Sequence, residues 1–167
     1  METILIAADH AGFELKRELT VFLRDMGYAV RDFGAYEFNA DDDYPDFIAP
    51  LAREVSESGG TKRGIAIGGS GQGEAMVANR FPHVRAVVFN GQYKPTDGRV
   101  IPHEIVTSRE HNDANVLSLG ARFLSVADAK EAAKTWLTTP FGGGTRHVRR
   151  LEKIDGLHVS QRGGSKK

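Results

Sequence analysis

"RGIAIGGSGQGEAMVANR", Arg63 to Arg80, joins a short apolar run to a helix-like run through a loop holding Gly68, Gly69, Gly71 and Gly73. A β-branched run that opens through glycines into a helix is the unit from which α/β sheets are built. The same pattern recurs outward in both directions. "TILIAA" reads as a strand, and after it Leu15, Leu19, Phe22, Leu23 and Met26 fall at helical spacing, with Gly27 as a C-terminal stop. "YAVRDF" is the next strand, followed by the polar loop "GAYEFNADDD" and a helix starting near Tyr44-Pro45, with Phe47, Leu51 and Val55 inward and Gly59-Gly60 at its end. "VRAVVFN" and "NVLSLG" supply strands four and five, and Ser125 with Asp128 resembles a capping box opening a helix to Leu137. Apolar strands alternating with helices predict a doubly wound five-stranded parallel sheet, Rossmann-like, with helices on both faces.

Two segments break the rhythm. "GQYKPTDGRVIPHE", Gly91 to Glu104, reads as a long loop, and "TTPFGGGTRHVRRLEKI" leads through glycines into a short final helix carrying Arg146, Arg149 and Arg150. The expected organisation is one domain over residues 1–155 and a flexible tail over 156–167.

Composition narrows the function classes. Lys plus Arg and Asp plus Glu both total 22, which removes the electrostatic footprint of a nucleic-acid binder. The absence of cysteine excludes disulfides, thiolate metal sites and thiol catalysis. "METILIAADH" has no basic n-region and too short an apolar run for a membrane helix, so a cytoplasmic protein with no membrane partner is expected.

In an open α/β sheet, ligands bind at the carboxyl ends of strands, where helix N-termini present free amides, and the Gly68–Gly73 loop occupies such a place. It is not a nucleotide loop. A phosphate-binding Walker loop needs Lys and then Ser or Thr after Gly73, where Glu74 and Ala75 stand, and no G-x-G-x-x-G register fits. Glu74 has two readings. It is an acid favoured by the dipole of the first helical turn, or a general base beside amides able to hold an oxyanion. The dipole lowers its pKa and burial raises it, a balance the sequence leaves open. Asp9 and His10, in "ADHAGF", end strand one, with Asp9 also suited to cap the next helix. His111 and Asn112 precede strand five and Arg122 follows it, while Arg146 and Arg150, at i,i+4, share a helix face that could grip phosphate or simply be solvated. These signals are expected to converge on one rim. No metal-ligand spacing occurs, since His103-Glu104 lacks a second histidine.

"AADHAGFELK", "DYPDFI", "GIAIGGSGQGEAMVANR", "RAVVF", "HNDANVLSLGAR" and "GGTRHVRRLEKI", in order over residues 3–155, resemble the ribose-5-phosphate isomerase B / galactose-6-phosphate isomerase family. The resemblance implies a Rossmann-like fold, no metal or other cofactor, and a homodimer or dimer of dimers with shared sites. It also implies aldose–ketose isomerisation of a sugar phosphate through an enediolate. Family members carry either a cysteine at the position of Gly68 or a glycine there with a glutamate at Glu74, and this chain resembles the second style. By that resemblance Glu74 is the base, with the glycine-loop amides of Gly69, Gly71 and Gly73 around the enediolate. Ser70 orients the reacting oxygens and Asp9 binds ring oxygens. His111 donates a proton in ring opening, with Asn112 holding substrate beside it. His10, Arg122, Arg146 and Arg150 grip substrate, mainly its phosphate, and Tyr44 lines the pocket; Arg149 has no such match. The Gly91–Glu104 stretch exceeds the short members by roughly ten residues, which suits a lid. Ribose 5-phosphate to ribulose 5-phosphate is the leading reaction; a tetrose or hexose phosphate substrate and a non-catalytic sugar-phosphate binder are the alternatives.

Overall fold

The computed structural model describes residues 1–160, with side chains described through Leu157. Five strands, β1 (Thr3–Ala8), β2 (Ala29–Asp32), β3 (Arg63–Gly68), β4 (Ala86–Phe89) and β5 (Val116–Gly120), form one parallel sheet in the order β2-β1-β3-β5-β4. Strand alternation divides the core. Ile4, Ile6, Ile65, Ile67, Leu117 and Leu119 face α1 (Phe13–Asp25), α4 (Glu104–Glu110) and α5 (Val126–Thr138), where Trp136 is fully buried. Leu5, Ala7, Ala66 and Val116 face α2 (Tyr44–Glu57) and α3 (Gln72–Ala78). Both faces of the sheet are covered, as the near-continuous apolar strands require.

The expected helix starts hold at α2 and α5. Ser125 caps α5 by accepting from the Asp128 amide at 3.1 Å, and its hydroxyl donates to Asp128 Oδ2 at 2.7 Å. Two elements differ from expectation. After the Gly91–Glu104 loop the chain forms α4, a helix not among those expected, which supplies the crossover a parallel pair needs. Its sequence, "EIVTSRE", hides it, being just under two turns long and anchored by the single buried apolar side chain Ile105. A loop side chain stabilises its start: Gln92 Oε1 accepts from the Glu104 amide at 2.8 Å. The last helix, α6 (Thr145–Ser160), is not short, and it continues past residue 155, where the tail was expected to begin. Residues 161–167 of that expected tail lie outside the described residues. No helix among the described residues is long and apolar enough to cross a membrane.

Candidate active site

The strand order reverses between β1 and β3, and the carboxyl ends of these strands diverge into the crevice where α/β sheets bind ligands. Asp9 and His10 leave β1 there. Asp9 Oδ1 accepts from the amides of Ala11 and Gly12 at 3.0 and 3.1 Å, so the capping role is real, and the side chain is buried.

The loop after β3 is held from behind. Ser118 Oγ, on β5, donates to the Gly71 carbonyl at 2.6 Å, and Asn90 Nδ2, at the end of β4, donates to the Ser70 carbonyl at 2.9 Å. A trans peptide sets its N–H opposite its C=O. Anchoring these two carbonyls therefore turns the Gly71 and Gln72 amides away from β5 and β4. Gly71 sits at φ +74°, a left-handed geometry in which its carbonyl still reaches Ser118 and which a side chain would strain. The Ser70 hydroxyl accepts from the Gln72 amide at 3.3 Å. Arg122, after β5, donates its own amide to the Gly69 carbonyl at 3.1 Å, and its guanidinium lies over the Gly69 Cα; the Tyr44 ring lies likewise over Gly73. The absent side chains at Gly69 and Gly73 are thus filled by Arg122 and Tyr44.

Glu74 is only 3% exposed, and its carboxylate occupies the space that a Cβ on Gly68 would fill. Its pKa is raised: burial penalises the charge, its own backbone amide pulls the other way, and Asp9 adds a smaller upward push. Burial outweighs that backbone bond, and the net shift is upward, the direction that would suit a general base. It also explains why glycine stands at 68. We expect Gly68→Ala to expel the carboxylate and lower turnover by about 10²-fold, toward the lower end of a general base's contribution, with KM little changed. Steady-state kinetics checks this, and an unchanged kcat would mean the Glu74 position is irrelevant to turnover.

His111, Asn112, Arg146 and Arg150 do not join this cluster, and the expectation of a single rim is corrected here. In a parallel sheet every strand starts on one rim and ends on the other. Gly68 and Gly120 pair at the carboxyl end, Gly64 and Val116 at the amino end. His111 closes α4 just before β5, on the amino rim. At about 3.3 Å per strand residue, the four steps from Val116 to Gly120 alone separate the rims by about 13 Å. α6 belongs to the same amino rim. The Gly142 amide donates to the Glu110 carbonyl at 3.1 Å, His147 stacks on His111 with centroids 4.3 Å apart, and Asp155 lies 3.8 Å from both His83 and Arg85, which precede β4. Arg146 and Arg150 are exposed beside that stack. Asn112 lines a cavity of about 270 Å³ between α4 and β4, with Val87, Val88 and Ile105.

His147 was not singled out from the sequence, where a lone histidine between arginines carries no signal. Its pKa is lowered, first by loss of solvent and then by the nearby charges of His111, Arg146 and Arg150. The long loop after β4 bounds a second cavity of about 360 Å³, where Gln92, Lys94 and His103 face Asp128 and Glu131 of α5. None of the candidate site residues lines this second cavity, but Pro102 and Glu104 of the loop share the first one with Asn112. Asp9, His10 and Asp42 bring one potential ligand atom each within 4.8 Å of one another. Asp42 Oδ1 already bonds the His10 amide and ring, and Asp9 Oδ1 the Ala11 and Gly12 amides.

Residues 4–154 match the family model described as Ribose/Galactose Isomerase. The chain is 37% identical over 151 residues to a ribose-5-phosphate isomerase B of Mycobacterium tuberculosis, covering 89% of this chain and 85% of that protein. It is 35% identical over 157 residues to that of Escherichia coli, covering 94% and 97%. Among solved structures, ribose-5-phosphate isomerase B from Mycoplasma genitalium with bound ribulose-5-phosphate superposes with a TM-score of 0.84 at 33% identity, covering 94% of this chain and 96% of that one. The Clostridium thermocellum enzyme superposes at 0.82 with 41% identity, covering 95% and 99%.

Proposed function

The chain belongs to the ribose/galactose isomerase family, and from that premise we propose that it interconverts ribose 5-phosphate and ribulose 5-phosphate with Glu74 as the proton-transfer base. The observation that carries this reading is the buried carboxylate lodged over Gly68, its pKa raised, beside a loop whose carbonyls are tied back. In an aldose–ketose isomerisation one group must take the C2 proton and return it to C1 while the intermediate bears charge on oxygen. Glu74 takes the proton. The Gly71 amide and the Ser70 hydroxyl, itself held by the Gln72 amide, face the developing oxyanion, where fixed donors act most strongly. Asp9 orients the sugar hydroxyls, and His10 and Arg122 meet the phosphate.

His111, Asn112, Arg146 and Arg150 belong to the same chemistry but sit on the opposite rim of this chain. The site is therefore completed by a second copy, whose amino rim docks against this carboxyl rim in a homodimer. Each chain contributes two unlike half-sites, Asp9 to Glu74 with Arg122 in one and His111 with α6 in the other.

The test is complementation. Glu74→Gln and Arg146→Ala proteins, each of low activity, should recover part of the wild-type rate when subunits exchange, because a mixed dimer holds one intact site. His111→Ala mixed with Arg146→Ala should not recover, since both changes fall in the same half. Recovery in the second mixture, or none in the first despite demonstrated exchange, overturns the shared site. A coupled assay over four-, five- and six-carbon aldose phosphates, run alongside, tests the sugar.

A further inference from the structure

Asp42 lies in the segment between β2 and α2 and reaches back across the sheet end to a single residue. Its Oδ1 accepts both the backbone amide of His10 at 3.0 Å and the ring Nδ1 of His10 at 2.7 Å. The Asp42 side chain is 7% exposed, and its Oδ2 is buried with no hydrogen-bond partner among the described residues. A carboxylate so far withdrawn from water needs an opposite charge to offset the lost solvation. His10 is the ion-pair partner that Asp42 has among the described residues.

The two hydrogen bonds to one oxygen fix the histidine ring as well as its backbone. Nδ1 carries a proton toward Asp42 in either charge state. In the neutral ring Nε2 would then be a lone pair, which repels an anion; in the imidazolium it is a second, charged donor. The groups facing His10 divide unequally. Asp42 and Asp9 favour the cation, while partial burial and Arg122 oppose it, and the net effect raises the His10 pKa above 6.5, with the Asp42 hydrogen bond the largest cause. His10 and Arg122 together place two cationic groups at the end of β1 and β5, a pairing suited to an anion.

We propose that Asp42 is a positioning residue that holds His10 as an imidazolium with Nε2–H available to the phosphate of a sugar phosphate, so that substrate affinity falls at alkaline pH. The identity of that anion rests on the isomerase reading above. The sign follows from which form binds. A protonated His10 meets a phosphate dianion, whose second ionisation lies near pH 6, so affinity is highest between that pH and the raised His10 value and declines above it. Without Asp42 the decline begins at lower pH.

The experiment is an NMR titration of the histidine rings in wild type and Asp42→Asn, with the His10 signals identified by their loss in His10→Gln, alongside KM for ribose 5-phosphate across the same pH range. Asp42→Asn should lower the His10 midpoint and move the alkaline rise in KM down by the same amount, about tenfold in KM per unit at a fixed pH above both midpoints, with kcat within about twofold. His10→Gln should give a high KM that no longer varies over that range. An unmoved His10 midpoint overturns the role of Asp42; a moved midpoint with an unmoved KM profile overturns its link to substrate. Inorganic phosphate supplies an arm independent of turnover: it should shift the His10 ring signals at pH 7, less so in Asp42→Asn, and no shift in wild type overturns the anion site. Absence of isomerase activity on every sugar phosphate, with the phosphate shift intact, would instead overturn the isomerase reading alone. Should Asp42→Asn fail to fold, Asp42→Ser, which keeps an acceptor for the His10 amide, provides the same comparison.

Discussion

Glu74→Gln should lower kcat by about 10²–10⁴-fold, the usual worth of a general base, and leave KM nearly unchanged. Glutamine fits the same space over Gly68 and keeps an acceptor, but it cannot take a proton. Exchange of the substrate's C2 proton with solvent deuterium should fall in parallel, because that exchange reports proton abstraction alone. The wild-type pH profile should carry the matching signature. Burial raises the Glu74 pKa above 4.5, so the acidic limb of kcat/KM lies above that of an ordinary glutamate and disappears in Glu74→Gln. Stability runs the other way. A carboxyl whose pKa is raised by folding favours the folded state at pH below its unfolded value and loses that contribution as pH rises through the folded value. Once ionised, Glu74 is a cost to the fold, so at pH above its folded value glutamine should leave Tm equal or higher. An acid kept only for the helix dipole predicts the reverse pattern, a loss of a few tenths to about 1 kcal/mol with proton exchange intact. Normal exchange in Glu74→Gln would end the proposed mechanism.

Arg146→Ala and Arg150→Ala should each raise KM for phosphorylated sugars by about 10- to 150-fold, the equivalent of roughly 1.5–3 kcal/mol per charge-assisted hydrogen bond, with KM for free sugars nearly constant. The two residues lie one turn apart on α6, exposed beside the His111–His147 stack. They share one ligand, so the double variant should lose less than the product of the single losses. Arg149, exposed on the next face of the helix, is the control, and Arg149→Ala should leave both constants alone. Equal losses on phosphorylated and free sugars would remove the phosphate role.

The order of strands and helices was legible because each strand is a short β-branched run and each helix an amphipathic one. α4 escaped, since "EIVTSRE" buries only Ile105 among its apolar side chains and draws its first capping bond from Gln92, twelve residues earlier. That omission had a consequence for the site. With α4 unassigned, nothing carried the chain from the carboxyl end of β4 back to the amino rim, and His111 could be imagined beside Glu74. The signal was nonetheless present: His111 precedes β5 and Arg122 follows it, and the two ends of a parallel strand lie on opposite rims. Asp42 left no such trace, because its partner His10 is 32 residues away and no periodicity relates them.

The sequence by itself determined the α/β class, the family and the glycine–glutamate form of the loop, because hydrophobic period, turn chemistry and residue identity are local properties that do not depend on what packs where. Tertiary structure alone decided that Glu74 is buried over Gly68, that Asn90 and Ser118 turn the loop amides, that Asp42 bonds His10, and that the candidate residues divide between two rims. Each of these is a relation between segments brought together by the sheet. Solvation, hydrogen-bond direction and separation in space are set by neighbours that are distant along the chain, and they come into existence only when β1, β3, β5 and β4 lie side by side.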